Sequence, residues 1–219
     1  MQQYQLTFID LALRRKALLF GRFTLKSGRE SPYFFNAGLF SDGESAATLG
    51  RCYGAAIMAA GLGFDMLFGP AYKGIALATA TAIALSVDHG LKMPYAFNRK
   101  EAKEHGEGGS VIGTPLKGRV LIVDDVITAG TAVRESLGLI RAAGAQPVGV
   151  ALALDRQERG QGALSAVQEV EQTEGLRCVS IITLADLIEA LSQPTDGRVR
   201  ISDDQLTALR AYQQRYGVR

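Results

Sequence analysis

The alternation of apolar and polar residues along the chain changes its period repeatedly, and each change predicts a new element. Continuous apolar runs of roughly four to eight residues predict buried strands, and apolar residues that recur at every third or fourth position predict helices. Strands are predicted at residues 65–68, 94–98, 119–123, 147–154 and 178–182. Helices are predicted at residues 74–87, 131–143, 163–172, 184–191 and 203–216, and another runs from a cap at Ser41 or Asp42 to about Ala60.

The N-terminal part and one internal stretch follow other patterns. The first apolar residues have helical spacing, which predicts a helix over residues 3–20 through Leu6, Ile9, Leu13 and Ala17. Residues 23–25 and 33–35 flank a polar turn, and this arrangement predicts a hairpin. Residues 100–110 are polar, with three glycines and alternating charge, and predict a mobile loop.

Strands that alternate with helices predict an α/β fold, with a central and mainly parallel sheet that has helices on both faces. The carboxyl ends of the parallel strands lie at one edge of such a sheet, and ligands bind at that edge. The chain of 219 residues contains no internal repeat and no Pro/Ser-rich linker, so residues 1–219 are expected to form a single domain.

Composition and charge narrow the functional classes. The net charge is only +2, with Lys and Arg spread along the chain, so no nucleic-acid partner is expected. The longest nearly uncharged run, residues 74–87, is too short to cross a bilayer, and the N-terminus lacks the pattern of a signal peptide. We therefore expect no membrane partner and a cytoplasmic location. Cys52 and Cys178 lie in apolar stretches and are predicted to be buried free thiols.

The most informative segment is residues 120–131, with the sequence VLIVDDVITAGT. Four apolar residues predict a buried strand, Asp124 and Asp125 follow at its carboxyl end, and a loop of small residues opens a helix. A helix N-terminus binds phosphate through its unpaired N–H groups and its dipole, and two adjacent carboxylates suit the two hydroxyls of a ribose. The lysine of a P-loop is missing, which disfavours a nucleoside triphosphatase. The structural alternative is an Asp125 that only caps or turns the junction.

This segment resembles the phosphoribosyl pyrophosphate (PRPP) motif of the type I phosphoribosyltransferases. Three further segments resemble the orotate-specific branch of that family: FTLKSGR leading into SPYFFN at residues 23–36, GPAYKG at residues 69–74, and RKEAKEHG at residues 99–106. The resemblance extends along residues 20–160. It implies the type I phosphoribosyltransferase fold, in which residues about 1–40 and part of the C-terminal region form a small hood that binds the base.

The resemblance also implies a pentosyltransferase reaction, in which PRPP and orotate give orotidine 5′-monophosphate and diphosphate in de novo pyrimidine (UMP) biosynthesis. A base nitrogen attacks C1 of the ribose through an oxocarbenium-like transition state. Mg²⁺ is carried mainly by PRPP, so no direct protein ligand to the metal is assigned. The enzyme is expected to be a homodimer in which the loop at residues 99–106 closes over the neighbouring chain's site.

Site residues follow from the same resemblance, position by position. The catalytic residues are Lys103, as a cation on the departing diphosphate, together with Asp124 and Asp125. The PRPP-binding residues are Lys26, Tyr72, Lys73, Arg99, Lys100, Lys103, His105, Asp124, Asp125, Val126, Ile127, Thr128, Ala129, Gly130, Thr131 and Ala132. The orotate-binding residues are Lys26, Phe34, Phe35, Thr128 and Arg156.

Each of these segments has a structural alternative. Residues 99–106 have the composition of a charged loop exposed to solvent. Residues 69–74 have the composition of a plain strand–helix turn. Phe34 and Phe35 point to opposite faces of a strand, so at most one ring can line a base pocket. The planar fork of Arg156 suits a carboxylate, but a surface arginine in a Gly/Gln-rich loop is the alternative.

Two other functions remain open at the level of sequence. A purine phosphoribosyltransferase shares the PRPP motif but does not need Arg156 or the hairpin around Lys26. A PRPP-sensing regulator that binds RNA or DNA would need a basic face or an added winged-helix domain, and the sequence has neither.

Overall fold

A computed structural model shows a six-stranded sheet covered by helices and, beside it, a two-stranded hairpin. The structure describes residues 1–25, 27–103, 109–128, 130–160, 162–193 and 201–218, with only the backbone for 101–103 and 109. The strands are β1 Leu18–Thr24, β2 Glu30–Phe35, β3 Met66–Gly69, β4 Tyr95–Lys103, β5 Gly109–Gly113, β6 Arg119–Asp124, β7 Gln146–Asp155 and β8 Arg177–Thr183. The helices are α1 Gln3–Arg14, α2 Gly43–Ala60, α3 Lys73–His89, α4 Thr131–Ala142, α5 Ala166–Glu174, α6 Leu184–Ser192 and α7 Asp203–Tyr216, with a 3-10 turn at Ala37–Leu39.

The large sheet has the strand order β5-β4-β3-β6-β7-β8, and only the β4–β5 pair is antiparallel. Along β6, Leu121 and Val123 pack into one apolar cluster, whereas Val120 and Ile122 pack into another. Successive side chains of a strand point to opposite faces, so both faces of the sheet are covered. The predicted α/β fold with a mainly parallel sheet is confirmed.

The predicted N-terminal helix is wrong over its last third. Helix α1 ends at Arg14, and Lys16 follows with φ 56° in the left-handed region. Leu18 then pairs with Phe35 across the antiparallel hairpin of β1 and β2. The helical spacing of Ala17 is a coincidence, because strand pairing in the folded chain overrides local periodicity. The hairpin itself is confirmed and is longer than predicted.

The loop predicted at residues 100–110 is also partly wrong. Strand β4 continues to Lys103 and β5 begins at Gly109, so both ends of the predicted loop belong to an antiparallel pair. Residues 104–108 lie outside the described residues. Strand β5 is an edge strand, and its polar and glycine-rich start hides the alternation by which strands are recognised.

The β1–β2 hairpin packs against the C-terminal part of the chain. The ring of Tyr33 meets Tyr212 of α7 edge-on, with 6.1 Å between centroids. Glu158, in the loop after β7, forms an isolated bridge with Gly217. The hairpin, the loop after β7 and the C-terminal helix therefore contact one another at the same side of the sheet.

Two further expectations concern thiols and membranes. Cys52 and Cys178 are both free, and Cys52 is buried as predicted, whereas Cys178 is only half-buried. None of the helices in the described part of the chain combines the length and the apolarity that crossing a bilayer requires.

Candidate active site

The carboxyl ends of β3, β4, β6 and β7 bring the predicted segments to one edge of the sheet. The N–H of Ala71, after β3, donates to Oδ1 of Asn98 in β4 at 2.8 Å. The backbone carbonyl of Asp125, after β6, accepts from the N–H of Ala153 in β7 at 3.0 Å. Because these strands are parallel, the segments that follow them are neighbours in space even though they are distant in sequence.

The acid pair ends strand β6 in a buried position. Asp124 is 9% exposed and Asp125 is 7% exposed. The N–H of Asp125 donates to Oδ1 of Asp124, and the N–H of Val126 donates to Oδ1 of Asp125. The hydroxyl of Tyr53 donates to the backbone carbonyl of Asp124 at 2.7 Å and anchors the strand end from α2. These bonds fix two carboxylates side by side at the sheet edge.

Burial and the neighbouring charge of Asp125 raise the pKa of Asp124 to about 7, because a buried carboxylate without a full set of partners favours its neutral form. Lys73, the first residue of α3, lies 2.7 Å from Oδ2 of Asp125, and its side chain is half exposed. A ligand that enters from solvent therefore meets a lysine that already neutralises one of two buried acids.

The loop after the acid pair opens helix α4 in a form that suits an anion. Gly130 caps the helix with φ 68°, a conformation that L side chains rarely adopt, and no described side chain caps this N-terminus. Thr128 and Thr131 are exposed. The side chain of Ile127 is buried in the apolar cluster under the loop, so only its backbone can reach a ligand.

The β3–α3 turn is packed so tightly that two of its positions accept only glycine. A Cβ on Gly69 would lie 2.1 Å from the carbonyl oxygen of Gly74, and one on Gly74 would lie 2.5 Å from Cδ of Pro70. The peptide bond between Ala71 and Tyr72 is cis. The close packing accounts for both glycines of the motif, and a role of this turn in binding an anion stays a prediction.

Two cationic residues of β4, Arg99 and Lys100, directly follow Asn98, which contacts this turn. The Nζ atom of Lys100 lies 5.0 Å from the ring centroid of Tyr72, which is exposed. Nη1 of Arg99 is buried and has no hydrogen-bond partner in the described part of the chain. A buried guanidinium donor without an acceptor is costly, so this atom is suited to an incoming anion.

The candidate base pocket lies on the hairpin side. Arg156 is only 12% exposed, and its guanidinium lies 4.3 Å from the ring centroid of Tyr33. The alternative of a surface arginine is therefore wrong. Phe35 is buried against Phe8, whereas Phe34 is exposed and stacks on Phe23. As the strand geometry predicted, only Phe34 can present its ring to a ligand.

Comparisons with known proteins now decide the family. Residues 44–174 match the phosphoribosyl transferase domain. An orotate phosphoribosyltransferase of Thioalkalivibrio sulfidiphilus (strain HL-EbGR7) is 62% identical over 100% of both chains. This chain belongs to the orotate phosphoribosyltransferase family.

Solved structures of orotate phosphoribosyltransferases share its fold. The enzyme of Francisella tularensis aligns with a TM-score of 0.84 and 38% identity over 96% of this chain and 98% of its own. The enzyme of Mycobacterium tuberculosis H37Rv, solved in complex with PRPP, aligns with a TM-score of 0.62 and 28% identity over 83% and 98%. The predicted type I phosphoribosyltransferase fold and the predicted family activity are confirmed, and the purine and regulatory alternatives are not favoured.

Several predicted site residues cannot be placed. Lys26, His105 and Ala129 lie outside the described residues, as does the side chain of Lys103. Within the described ranges no three His, Cys, Asp or Glu side chains converge as a metal cluster does.

The structure also contains residues that sequence reasoning missed. Tyr53, Asn98 and Glu158 anchor the acid pair, the β3–α3 turn and Arg156, respectively. Asn98 lies near the carboxyl edge of a predicted strand and could have been identified there. Tyr53 and Glu158 act through contacts between distant segments, for which the sequence gives no signal.

Proposed function

We propose that this site transfers ribose 5-phosphate from PRPP to orotate and releases orotidine 5′-monophosphate and diphosphate. The observation that carries the proposal is that one sheet edge holds three features. They are a buried acid pair, a helix N-terminus after it that no described side chain caps, and a buried arginine, Arg156, after the next strand. These three features match the ribose, the phosphate and the carboxylate of the two substrates.

The PRPP end of the site uses the loop and the acid pair. The 5-phosphate binds the N–H groups of residues 126–132 at the start of α4, with the hydroxyls of Thr128 and Thr131 as further donors. Asp124 and Asp125 accept from the two ribose hydroxyls. Lys73 leaves Asp125 for the diphosphate, which also accepts from the buried Nη1 of Arg99. Tyr72, Lys26, Lys100 and His105 complete the PRPP site in this proposal.

The orotate end uses the hood, formed by residues about 1–40 and part of the C-terminal region. Arg156 binds the carboxylate of orotate, because a guanidinium recognises a carboxylate through paired hydrogen bonds. The exposed ring of Phe34 lines one side of the base, and the backbone of Phe35 contributes polar groups, since its ring is buried. Lys26 and Thr128 hold the remaining base oxygens.

Catalysis then rests on position and charge. The buried acid pair lies where positive charge develops on the ribose, and in a site shielded from water its negative charge acts strongly. The cation of Lys103 neutralises the diphosphate as it leaves. No protein nucleophile is needed, because the base nitrogen attacks C1 directly.

Mg²⁺ fits the donor set. Asp124 and Asp125 offer adjacent carboxylate oxygens, the ligand type that Mg²⁺ prefers. These two acids would hold the ion from the protein side, and the oxygens of PRPP would supply its other ligands. When bound, the ion neutralises the charge that accumulates on the diphosphate.

We also propose a cytoplasmic homodimer with shared sites. Ile83 and Val87, one turn apart on α3, are 59% and 71% exposed. Exposed large apolar side chains at helical spacing fit a partner surface, and a second copy of the chain is the simplest partner of two-fold symmetry. In that dimer the loop with Lys103 closes over the neighbouring acid pair.

The proposal is tested by incubating the protein with PRPP, Mg²⁺ and each of orotate, uracil, hypoxanthine and adenine. Of the four bases, only orotate should be consumed at a substantial rate. If a purine base is consumed preferentially, or if none of the four bases is consumed, the assigned substrate is wrong.

A further inference from the structure

Arg156 is held by a carboxylate that the proposed reaction does not use. Glu158, two residues further along the loop, is 11% exposed on its side chain. Its Oε1 atom accepts from Nε of Arg156 at 2.9 Å and lies 2.7 Å from Nη2. The Nη2 atom also donates to Oγ of Ser31 at 3.3 Å.

The same carboxylate ties the arginine to the hairpin. The hydroxyl of Tyr33 donates to Oε1 of Glu158 at 3.1 Å, and burial raises the pKa of this hydroxyl well above its ordinary range, so it remains a donor. The ring of Tyr33 lies under the guanidinium of Arg156. On the other side, Oε2 of Glu158 lies 3.6 Å from Nη1 of Arg29. One carboxylate therefore connects two arginines and a tyrosine.

This arrangement fixes the orientation of the guanidinium. Tyr33 limits its position to one plane, but a face-on ring contact alone permits rotation within that plane. The bonds from Nε and Nη2 to Glu158 remove this freedom. The contacts with Glu158 and Ser31 use Nε and Nη2, and Tyr212 interacts with the guanidinium as a neighbour. The donors of Nη1 are therefore the ones that we assign to a ligand.

The charges of the cluster support the same assignment. Arg29 and Arg156 contribute two positive charges and Glu158 one negative charge. Asp155, the next acid to Glu158, has its pKa raised by burial, which favours the neutral form and leaves the two arginines with one charged acid between them. An anionic ligand would balance the remaining positive charge, because a buried charge without a partner is unfavourable.

We propose that Glu158 is a positioning residue for orotate specificity, which holds the guanidinium of Arg156 so that its Nη1 end meets the carboxylate of the base. This inference rests on the proposed binding of orotate by Arg156. Glu158 itself does not touch the substrate.

The test compares Glu158→Ala and Glu158→Gln with the wild-type enzyme. In the alanine variant the KM for orotate should rise at least about tenfold, the effect of losing one hydrogen bond to a charged group, while the KM for PRPP stays within about twofold. In the glutamine variant the amide oxygen still accepts from Nε and Nη2, so most of the orotate affinity should return. Glu30→Gln is the control, because Glu30 pairs with Arg22 on the same hairpin but in an exposed position.

An unchanged or lower KM for orotate in Glu158→Ala would overturn the inference, since Glu158 would then only neutralise charge. Equal rises in both KM values, or an alanine-like loss in Glu158→Gln, would also overturn it and assign Glu158 to stability alone. Arg156→Ala separates the two levels of the argument. If Arg156→Ala has the wild-type KM for orotate, the proposed base site is wrong. If Arg156→Ala raises this KM but the Glu158 variants do not, the base site stands and the inference about Glu158 fails.

Discussion

Nζ of Lys73 lies 2.7 Å from Oδ2 of Asp125, and this ion pair connects the β3–α3 turn to the PRPP motif. Lys73 is half exposed, whereas Asp125 is buried. The lysine can therefore turn toward solvent, but the acid cannot. In the proposed mechanism, the exchange of Asp125 for the diphosphate as the partner of Lys73 is part of PRPP binding.

Replacing this lysine should weaken PRPP binding selectively. In Lys73→Gln the KM for PRPP should rise about tenfold or more, because a charge-assisted contact to a phosphate oxygen is lost. The KM for orotate should change little. Steady-state kinetics with each substrate varied in turn measures both values. Lys117→Gln, at an exposed lysine, is the control, and a parallel rise in both KM values would remove Lys73 from the PRPP site.

The raised pKa of Asp124 should appear in the pH dependence of stability. Its pKa is about 7 in the folded protein, against an ordinary value of 3.8, so the folded state keeps a proton that the unfolded state releases. That proton contributes stability fully below about pH 4, and the contribution is lost as the pH rises through about 7. In Asp124→Asn the loss is absent, so Tm of the variant minus Tm of the wild type should increase between about pH 4 and pH 8. A constant difference would show that Asp124 ionises normally.

The glycine contact in the β3–α3 turn should be intolerant of a methyl group. Gly69→Ala places a Cβ against backbone atoms of Gly74, and such overpacking costs about 1–3 kcal/mol. The free energy of unfolding should fall by that amount, and the KM for PRPP should rise as the turn shifts. Gly138→Ala, on an exposed position of α4 with nothing within 4 Å of the added Cβ, should instead gain about 0.5–1 kcal/mol. Equal stability of the two variants would contradict the close contact.

Subunit mixing should reveal shared sites. Lys103→Ala and Asp124→Asn/Asp125→Asn homodimers should each be nearly inactive. After dissociation and re-mixing in equal amounts, half the dimers are hybrid, and each hybrid has one site in which an intact loop meets intact acids. Activity should return to roughly a quarter of the wild-type value. Proven hybrids without activity would place each complete site within one chain.

Much of the fold could be predicted from the sequence, because local patterns determine it. The apolar runs that became β6 and β7 are buried on both faces of the sheet, and Asp42 caps α2 by accepting from the N–H of Ser45 as its position suggested. The first part of β1 and the whole of β5 were missed because their formation depends on pairing with a partner strand. Such pairing leaves little trace in a single segment.

In the candidate site, too, the features that are contiguous in sequence could be predicted, and the contacts between distant segments could not. The acid pair and the loop at 126–131 are contiguous in sequence, so their chemistry can be inferred from the order of residues. Lys73 was predicted from a motif, but its contact with Asp125 spans 52 positions, and that of Tyr33 with Glu158 spans 125. Contacts of this kind depend on the packing of the folded chain.

The most direct test of the central claim is the consumption of orotate by the wild-type enzyme and by the double variant Asp124→Asn/Asp125→Asn. The wild-type enzyme should convert orotate to orotidine 5′-monophosphate only when PRPP and Mg²⁺ are both present, with one diphosphate released for each orotate consumed. The double variant should remain folded, as its melting curve shows, and should lose at least about a hundredfold in kcat/KM, because the groups that stabilise the developing charge are gone. Near-wild-type turnover by the folded double variant would contradict the claim that this acid pair forms the active site.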